Sequence, residues 1–218
     1  MKKIVLCCLA FIVGFASFHF IPNDKIITVS GIYAFKTKAE LVDDSSVIIK
    51  GTVKEILPSK WSNPDFIKGN NIRNIIQTDI IVNISEVYKG EPYNKESIAV
   101  RINKGKVDDT EVVSDGYPDF IIGEEVVLFL SEDEGDLANK EENYYVSTGM
   151  LQGKFSLTES NGNDKTFKNS NGNEFKLNSI KDEIKNTIDE LKNNPISKMT
   201  KEEIRKQNEK VFGKININ

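Results

Sequence analysis

The chain has 218 residues, with 29 lysines and arginines against 33 aspartates and glutamates, a net charge of −4. From Pro22 to Leu177 acids outnumber bases 26 to 18, so the body lacks the basic stripe that a phosphate backbone requires, and nucleic acid is excluded as a partner. Both cysteines, Cys7 and Cys8, and the single histidine, His19, lie in the N-terminal apolar segment, which leaves the rest without a disulfide framework, a cysteine nucleophile, a histidine base or a Cys/His metal site.

Met1-Lys2-Lys3 and the apolar run Ile4 to Ile21 read as a signal peptide or an uncleaved signal anchor over residues 1–21. Gly14 and Ala16 stand three and one before Ser17, as a cleavage site requires, yet the apolar run continues through Phe18, Phe20 and Ile21, as an anchor requires. Lys2 and Lys3 fall on the cytoplasmic side under the positive-inside rule, which places the body outside, anchored in the bacterial cell membrane or secreted. Residues 22–33 are expected to be a linker, extended around Pro22 to Ser30. A β-barrel domain is expected over 34–177, an amphipathic helix over 178–194 and a polar helical tail over 195–218.

Within the body, Ala34 to Val42 reads as a short helix with Phe35 and Val42 near one face. Val47 to Ile56 is the first strand, and Gly51 in its middle marks a bend or the close approach of another backbone. Leu57 to Ile75 is a long polar loop holding Trp61 and Phe66. Ile80, Val82 and Ile84, then Ile98, Val100 and Ile102, alternate with polar or small residues across a turn at Gly90 and Pro92, the period of a half-buried antiparallel hairpin. The alternation breaks between Ile84 and Val87, as at a bulge. Lys104 to Gly123 reads as a second long loop, rich in acid. Glu125 to Leu130 is a nearly continuous apolar run, the pattern of a strand buried on both faces. Further strands follow at Tyr144 to Val146 and Gln152 to Thr158, and two matching Asn-Gly turns, at Asn161 and Asn171, form a ribbon. Ile180, Ile184, Ile188 and Leu191 make one stripe on a helix from Lys176 to Asn193, with Ser179 and Asp182 as a capping box. Thr200 with Glu203 starts a second, more polar helix. The expected fold is mainly β: a small antiparallel OB-like barrel of five or six strands over 46–158, with a short N-terminal helix and one or two C-terminal helices.

The pieces Leu41-Val42, Gly51-Thr52-Val53, Glu86 to Gly90, Ile98 to Arg101, Gly123-Glu124 leading to Leu128-Phe129-Leu130, and Gln152 to Phe155 resemble an exported bacterial domain of unassigned function. It has an OB-type barrel, distantly similar to the netrin-like domains of metalloproteinase inhibitors. The likeness covers roughly residues 38–157. It implies export and a binding or inhibitory role. Those inhibitors act through an N-terminal cysteine that nothing at the start of this body matches, and where the family has a glycine pair after the third strand this chain has Lys104-Gly105. No catalytic or binding residue carries over.

Three chemistries remain. Asp108, Asp109, Asp115 and Asp119 in the second loop are the candidates for a carboxylate-dependent hydrolase of cell-envelope glycan or another extracellular substrate. The acidic turn from Ser131 mimics a calcium loop, but Leu130 stands at the first ligand position and cannot coordinate; that match fails, a looser oxygen cluster stays open, and no metal ligand and no cofactor is assigned. Trp61, Phe66 and Tyr117, all on loops, are candidates for a stacking platform for sugar or peptide. OB-type barrels bind oligosaccharides across a strand face and its loops. The leading expectation is a non-enzymatic binding or inhibitory module that meets an unknown protein or glycan at the cell surface through loops 57–75 and 104–123, with the membrane engaged by residues 4–21.

Overall fold

The computed structural model describes residues 25–30, 33–63, 74–135, 138–161 and 164–198, together with positions 203 and 206. In chain order the elements are β1 (Lys25–Val29), α1 (Lys38–Asp44), β2 (Val47–Ile56), β3 (Lys60–Trp61), β4 (Ile76–Lys89), β5 (Ser97–Ile102), β6 (Gly105–Val107), β7 (Thr110–Ser114), β8 (Glu125–Ser131), β9 (Tyr145–Ser147), β10 (Lys154–Asn161), β11 (Asp164–Lys168), β12 (Glu174–Lys176) and α2 (Ile180–Asn193). Residues 4–21 lie outside the described residues. Among the described residues no helix is long and apolar enough to cross a membrane.

Five strands close a barrel: β2 pairs with β4, β4 with β5, β5 with β9, β9 with β8, and β8 with β2. The order first, second, third, fifth, fourth and back to first is consistent with an OB-type barrel. Its pairings are antiparallel except the one that closes it, where Val100 and Arg101 run parallel to Tyr145 and Val146. The other edge of β8 carries β10, β11 and β12 as an antiparallel meander, so the sheet forks at this strand.

The fork explains the apolar run. Val126, Leu128 and Leu130 point into the barrel with Ile49, Val82 and Val100. Val127 and Phe129 point outward into a second core built from Leu41 and Val42 of α1, Phe155, Phe167, Phe175, and Ile180 and Ile184 of α2. Phe129, Phe155 and Phe175 meet with ring centroids 5.1–5.7 Å apart. With one strand serving two cores, both side-chain sets must be apolar. Ile188 and Leu191 continue the α2 stripe onto the same core.

Gly51 marks a close crossing, as expected: a Cβ there would lie 2.4 Å from the Asn83 carbonyl oxygen. The bulge expected between Ile84 and Val87 is a register slip at Ser85, since Gly51 pairs with Ile84 and Lys50 with Glu86.

Several expectations needed correction. The stretch expected as an extended linker contains β1, which pairs in parallel with β7 from Lys25–Thr110 to Val29–Ser114. The second loop contains the β6–β7 hairpin, turned at Asp108 with a positive φ of 53°. Helix α1 starts four residues later than expected, because Thr37 and Glu40 form a reciprocal capping box, and Phe35 is left 62% exposed ahead of it. At α2 the expected capping box does not form: the Ser179 hydroxyl donates to Glu183 Oε1 at 2.7 Å, and Lys176 belongs to β12. Of the polar tail, positions 203 and 206 are helical, and the rest of 199–218 lies outside the described residues.

Candidate functional site

The two long loops meet at one end of the barrel, around a cleft of about 690 Å³. Leu57, Pro58 and Ser59 of the first loop form one wall. The β6–β7 hairpin of the second loop forms the other. Three hydroxyl bonds hold the walls in register. Ser59 Oγ lies 2.8 Å from Thr78 Oγ1, Thr78 Oγ1 donates to the Lys104 carbonyl at 2.6 Å, and the Lys106 amide donates to Ser59 Oγ at 3.2 Å. Gly105 is needed at that crossing. Its φ is +141°, and a Cβ would lie 2.1 Å from Ser59 Oγ.

The floor of the cleft includes Ile80, Ile102 and Phe120, which are also members of the barrel core. Lys154 pins the segment that carries Phe120. Its ammonium donates to the Asp119 carbonyl at 2.6 Å and to both Glu124 carboxylate oxygens at 2.8 Å, and lies 4.9 Å from the Phe120 ring centre. Beside the cleft, Lys104 Nζ donates to the Tyr117 carbonyl at 3.1 Å and to Asp119 Oδ1 at 2.5 Å.

The side of the barrel that OB-type domains present to ligands, the outward face of the second and third strands, is here occupied by the protein itself. Asp79 on β4 and Arg101 on β5 are register partners. The Arg101 side chain is 2% exposed and forks onto Asp79 through Nε and Nη2, both at 2.7 Å. It also donates to Glu142 and stacks 3.7 Å from the Tyr144 ring centre. Lys60 reaches the same Glu142 at 2.9 Å. Burial alone would lower the basicity of Arg101, but its bonds to Asp79 and Glu142 outweigh it and hold the guanidinium charged. Burial alone would likewise raise the Glu142 carboxyl, and Arg101 and Lys60 together hold it below its ordinary range. Next to this cluster, Tyr93 stacks on Tyr145 at 5.3 Å, beside a pocket of about 180 Å³.

The residues singled out from sequence fall in different places. Trp61 is half-buried on β3, paired with Ile76. Phe66 lies outside the described residues. Tyr117 is half-buried, its ring packed on the barrel core and its hydroxyl accepting from Asn103 Nδ2 at 2.8 Å. Burial raises the Tyr117 phenol above its usual range. Neither Trp61 nor Tyr117 lines the cleft. Asp108, Asp109 and Asp115 are exposed, and of the four candidate acids Asp119 alone lines the cleft, with its side chain 94% exposed. Among the described residues no group of three or more metal-ligating side chains converges.

Sequence reading missed Ser59, Thr78 and Lys104. The usable signal was Lys104-Gly105 directly after an alternating strand, where the hairpin must cross the first loop. No model of a known protein family matches the chain, and no curated protein matches it either.

Proposed function

We propose that the chain is a non-enzymatic binding or inhibitory module of a bacterial cell surface, with its site in the cleft between loops 57–75 and 104–123. The observation that supports this reading is the meeting of both loops around a 690 Å³ space whose floor is apolar and whose walls are fixed by hydroxyl bonds. A concavity of this size that combines apolar side chains with placed polar groups is what ligand sites share. The alternative outer face is closed by Arg101, Glu142 and Tyr144. Export, with the membrane engaged by residues 4–21, rests on the positive start and apolar run of that segment. An inhibitory role rests on the netrin-like resemblance.

The hydrolase alternative draws less support. Glycoside chemistry needs two carboxylates about 5–9.5 Å apart across a cleft. Three of its four candidate acids stand in solvent away from the cleft, and the fourth is paired with Lys104.

A capture experiment from cell-wall extract tests the reading. Val113 lines the cleft on β7 and is 44% exposed, so Val113→Trp obstructs the opening at a position where the fold tolerates bulk. The expected result is loss of capture by Val113→Trp and retention by the Trp61→Ala, Phe66→Ala double variant. Undiminished capture by Val113→Trp would remove the cleft from the function.

A further inference from the structure

The free sheet edges of the molecule are not equally guarded. β12, which ends the large sheet, is three residues long and sets Glu174 and Lys176 on either side of its buried Phe175. β6 is met by the first loop, where the Lys106 amide donates to Ser59 Oγ. β1 has no such cover. Its five residues, Lys25 to Val29, pair among the described residues with β7 alone, and they include neither a proline nor a bulge. Its one charge stands at the end, on Lys25, while Ile26 is 63% and Val29 49% exposed. Proteins normally blunt an edge of this kind with charges, proline or a bulge, because its unpaired N–H and C=O groups template a further strand.

The register shows which backbone groups are free. Lys25 stands beside Thr110, and its amide donates to the Asp109 carbonyl at 2.6 Å. Backbone groups alternate in direction along a strand, so Lys25, Ile27 and Val29 bond to β7, and the N–H and C=O of Ile26 and Thr28 point to the open side. That row of two donors and two acceptors is matched by its own reverse. In an antiparallel copy centred on Ile27, Ile26 of each strand meets Thr28 of the other, and four ladder bonds use every free group. Lys25 then falls opposite Val29, so no like charges face each other. A slide of one residue would set free groups against groups already bonded to β7, and a slide of two leaves part of β1 unmatched. A foreign peptide fits less well. Strand addition selects a peptide through pockets for alternate side chains, and no β1 residue lines the cleft or the smaller pocket.

We propose that β1 is a dimer edge: two copies of this chain join antiparallel across β1, with the two-fold axis at Ile27, into one six-stranded sheet ordered β6-β7-β1-β1-β7-β6. Both barrels then lie on the face that Ile27 shares with Val112, and the opposite face carries Ile26, Thr28, Glu111 and Val113 of each copy. Four bonds make a weak pair in dilute solution. They suffice where the partners are held together, since tethering raises the effective concentration. The sequence supplies such a tether: the apolar run ends at Ile21, and the four steps to Lys25 reach at most roughly 14 Å. Two chains in one membrane therefore present their β1 edges at the same height. This tethering argument rests on the reading of residues 4–21 as an anchor; the pairing does not depend on what the cleft binds.

Disulfide trapping in the full chain tests this. With Cys7 and Cys8 replaced by serine, single cysteines are placed at Ile26, Ile27 and Thr28, and bacterial cells producing each variant are oxidised with copper phenanthroline. Position 27 should trap a covalent dimer, because the two Cα atoms of such a pair lie about 4.5 Å apart, within disulfide reach. Positions 26 and 28 lie about 8 Å from their own copies and should trap at least about fivefold less. In the Ile27→Cys chain, Thr28→Pro removes an N–H that β7 does not use, so it should leave the thermal melt unchanged and lower trapping about fivefold. Ile26→Lys, at a side chain mostly in water, should lower trapping without altering a backbone bond. A monomer throughout, equal trapping at all three positions, or trapping that survives both Thr28→Pro and Ile26→Lys overturns the pairing. Fractionation of the same cells reports the anchor separately. A membrane-bound chain that stays monomeric loses the pairing and keeps the anchor, whereas a chain outside the membrane that still traps at position 27 keeps the pairing and loses the anchor.

Discussion

Replacing Arg101 by methionine should be among the most damaging single changes in the barrel wall. The guanidinium is 2% exposed, and it is the main partner of Asp79, itself 12% exposed. Among the described residues, its removal leaves that carboxylate with Lys60, at 3.5 Å and from a side chain 44% exposed. Breaking a buried ion pair from one side costs about 3–5 kcal/mol, because the remaining charge is desolvated without compensation. Loss of the stack on Tyr144 falls within that cost. Asp79→Asn should cost less, about 2 kcal/mol, since Arg101 keeps Glu142. The double variant, with neither charge left behind, should be more stable than the sum of the two losses by at least about 1 kcal/mol. Urea unfolding followed by circular dichroism, with the fluorescence of Trp61 as a second probe, gives the four stabilities of the cycle. Additivity within about 0.5 kcal/mol, or a cost below about 1 kcal/mol for Arg101→Met, would refute the view that this network is buried and coupled.

Gly51→Ala should destabilise by about 1–3 kcal/mol, toward the upper end because the Cβ meets a backbone carbonyl 2.4 Å away, and a measured loss below 0.5 kcal/mol, well under that order-of-magnitude range, would contradict the close crossing. Thr37→Ala should cost about 1 kcal/mol and Ser179→Ala clearly less, because only Thr37 accepts from a helix amide; equal losses in thermal melts would contradict the assignment of caps. Glu142 is held below the ordinary carboxylate value of about 4.3, so its contribution is complete above that pH and lost as pH falls through its lower folded value. Stability should therefore drop on acidification below about pH 4, less steeply in Glu142→Gln, and identical acid limbs for the two proteins would remove Glu142 from the network.

The parts of the fold that could be read in advance are those where one residue pattern has one physical cause. The alternation of β4 and β5, the run of β8 and the stripe of α2 each record a face buried over its whole length. Gly51 was legible because a mid-strand glycine has few other uses. Features that depend on distant segments were not legible. β1 exists because β7 lies beside it, some 85 residues further on, and β6 is three residues long, too short to show a period. Arg101 occupies an outward strand position that normally means solvent. It is buried by Glu142 and Tyr144 from a loop about 40 residues away, and nothing local announces this. The two long loops were legible from their length, but a cleft between them was not expected. Its lining was not legible either, because the aromatic residues that stood out, Trp61 and Tyr117, are used in packing, while Ser59, Thr78 and Lys104 look ordinary until the hairpin is placed against them.

The central claim is that ligand enters between the two loops, and site-directed photo-crosslinking on intact, wall-stripped cells addresses it most directly. The body contains no cysteine, so replacing Cys7 and Cys8 by serine allows a single benzophenone-maleimide to be placed at Val113→Cys in the cleft, or at Ser170→Cys in the exposed turn between β11 and β12 as a control. Adducts from position 113 and none from position 170 are expected. Adducts from position 170 with none from position 113 would contradict the account and move the site to the far edge of the sheet.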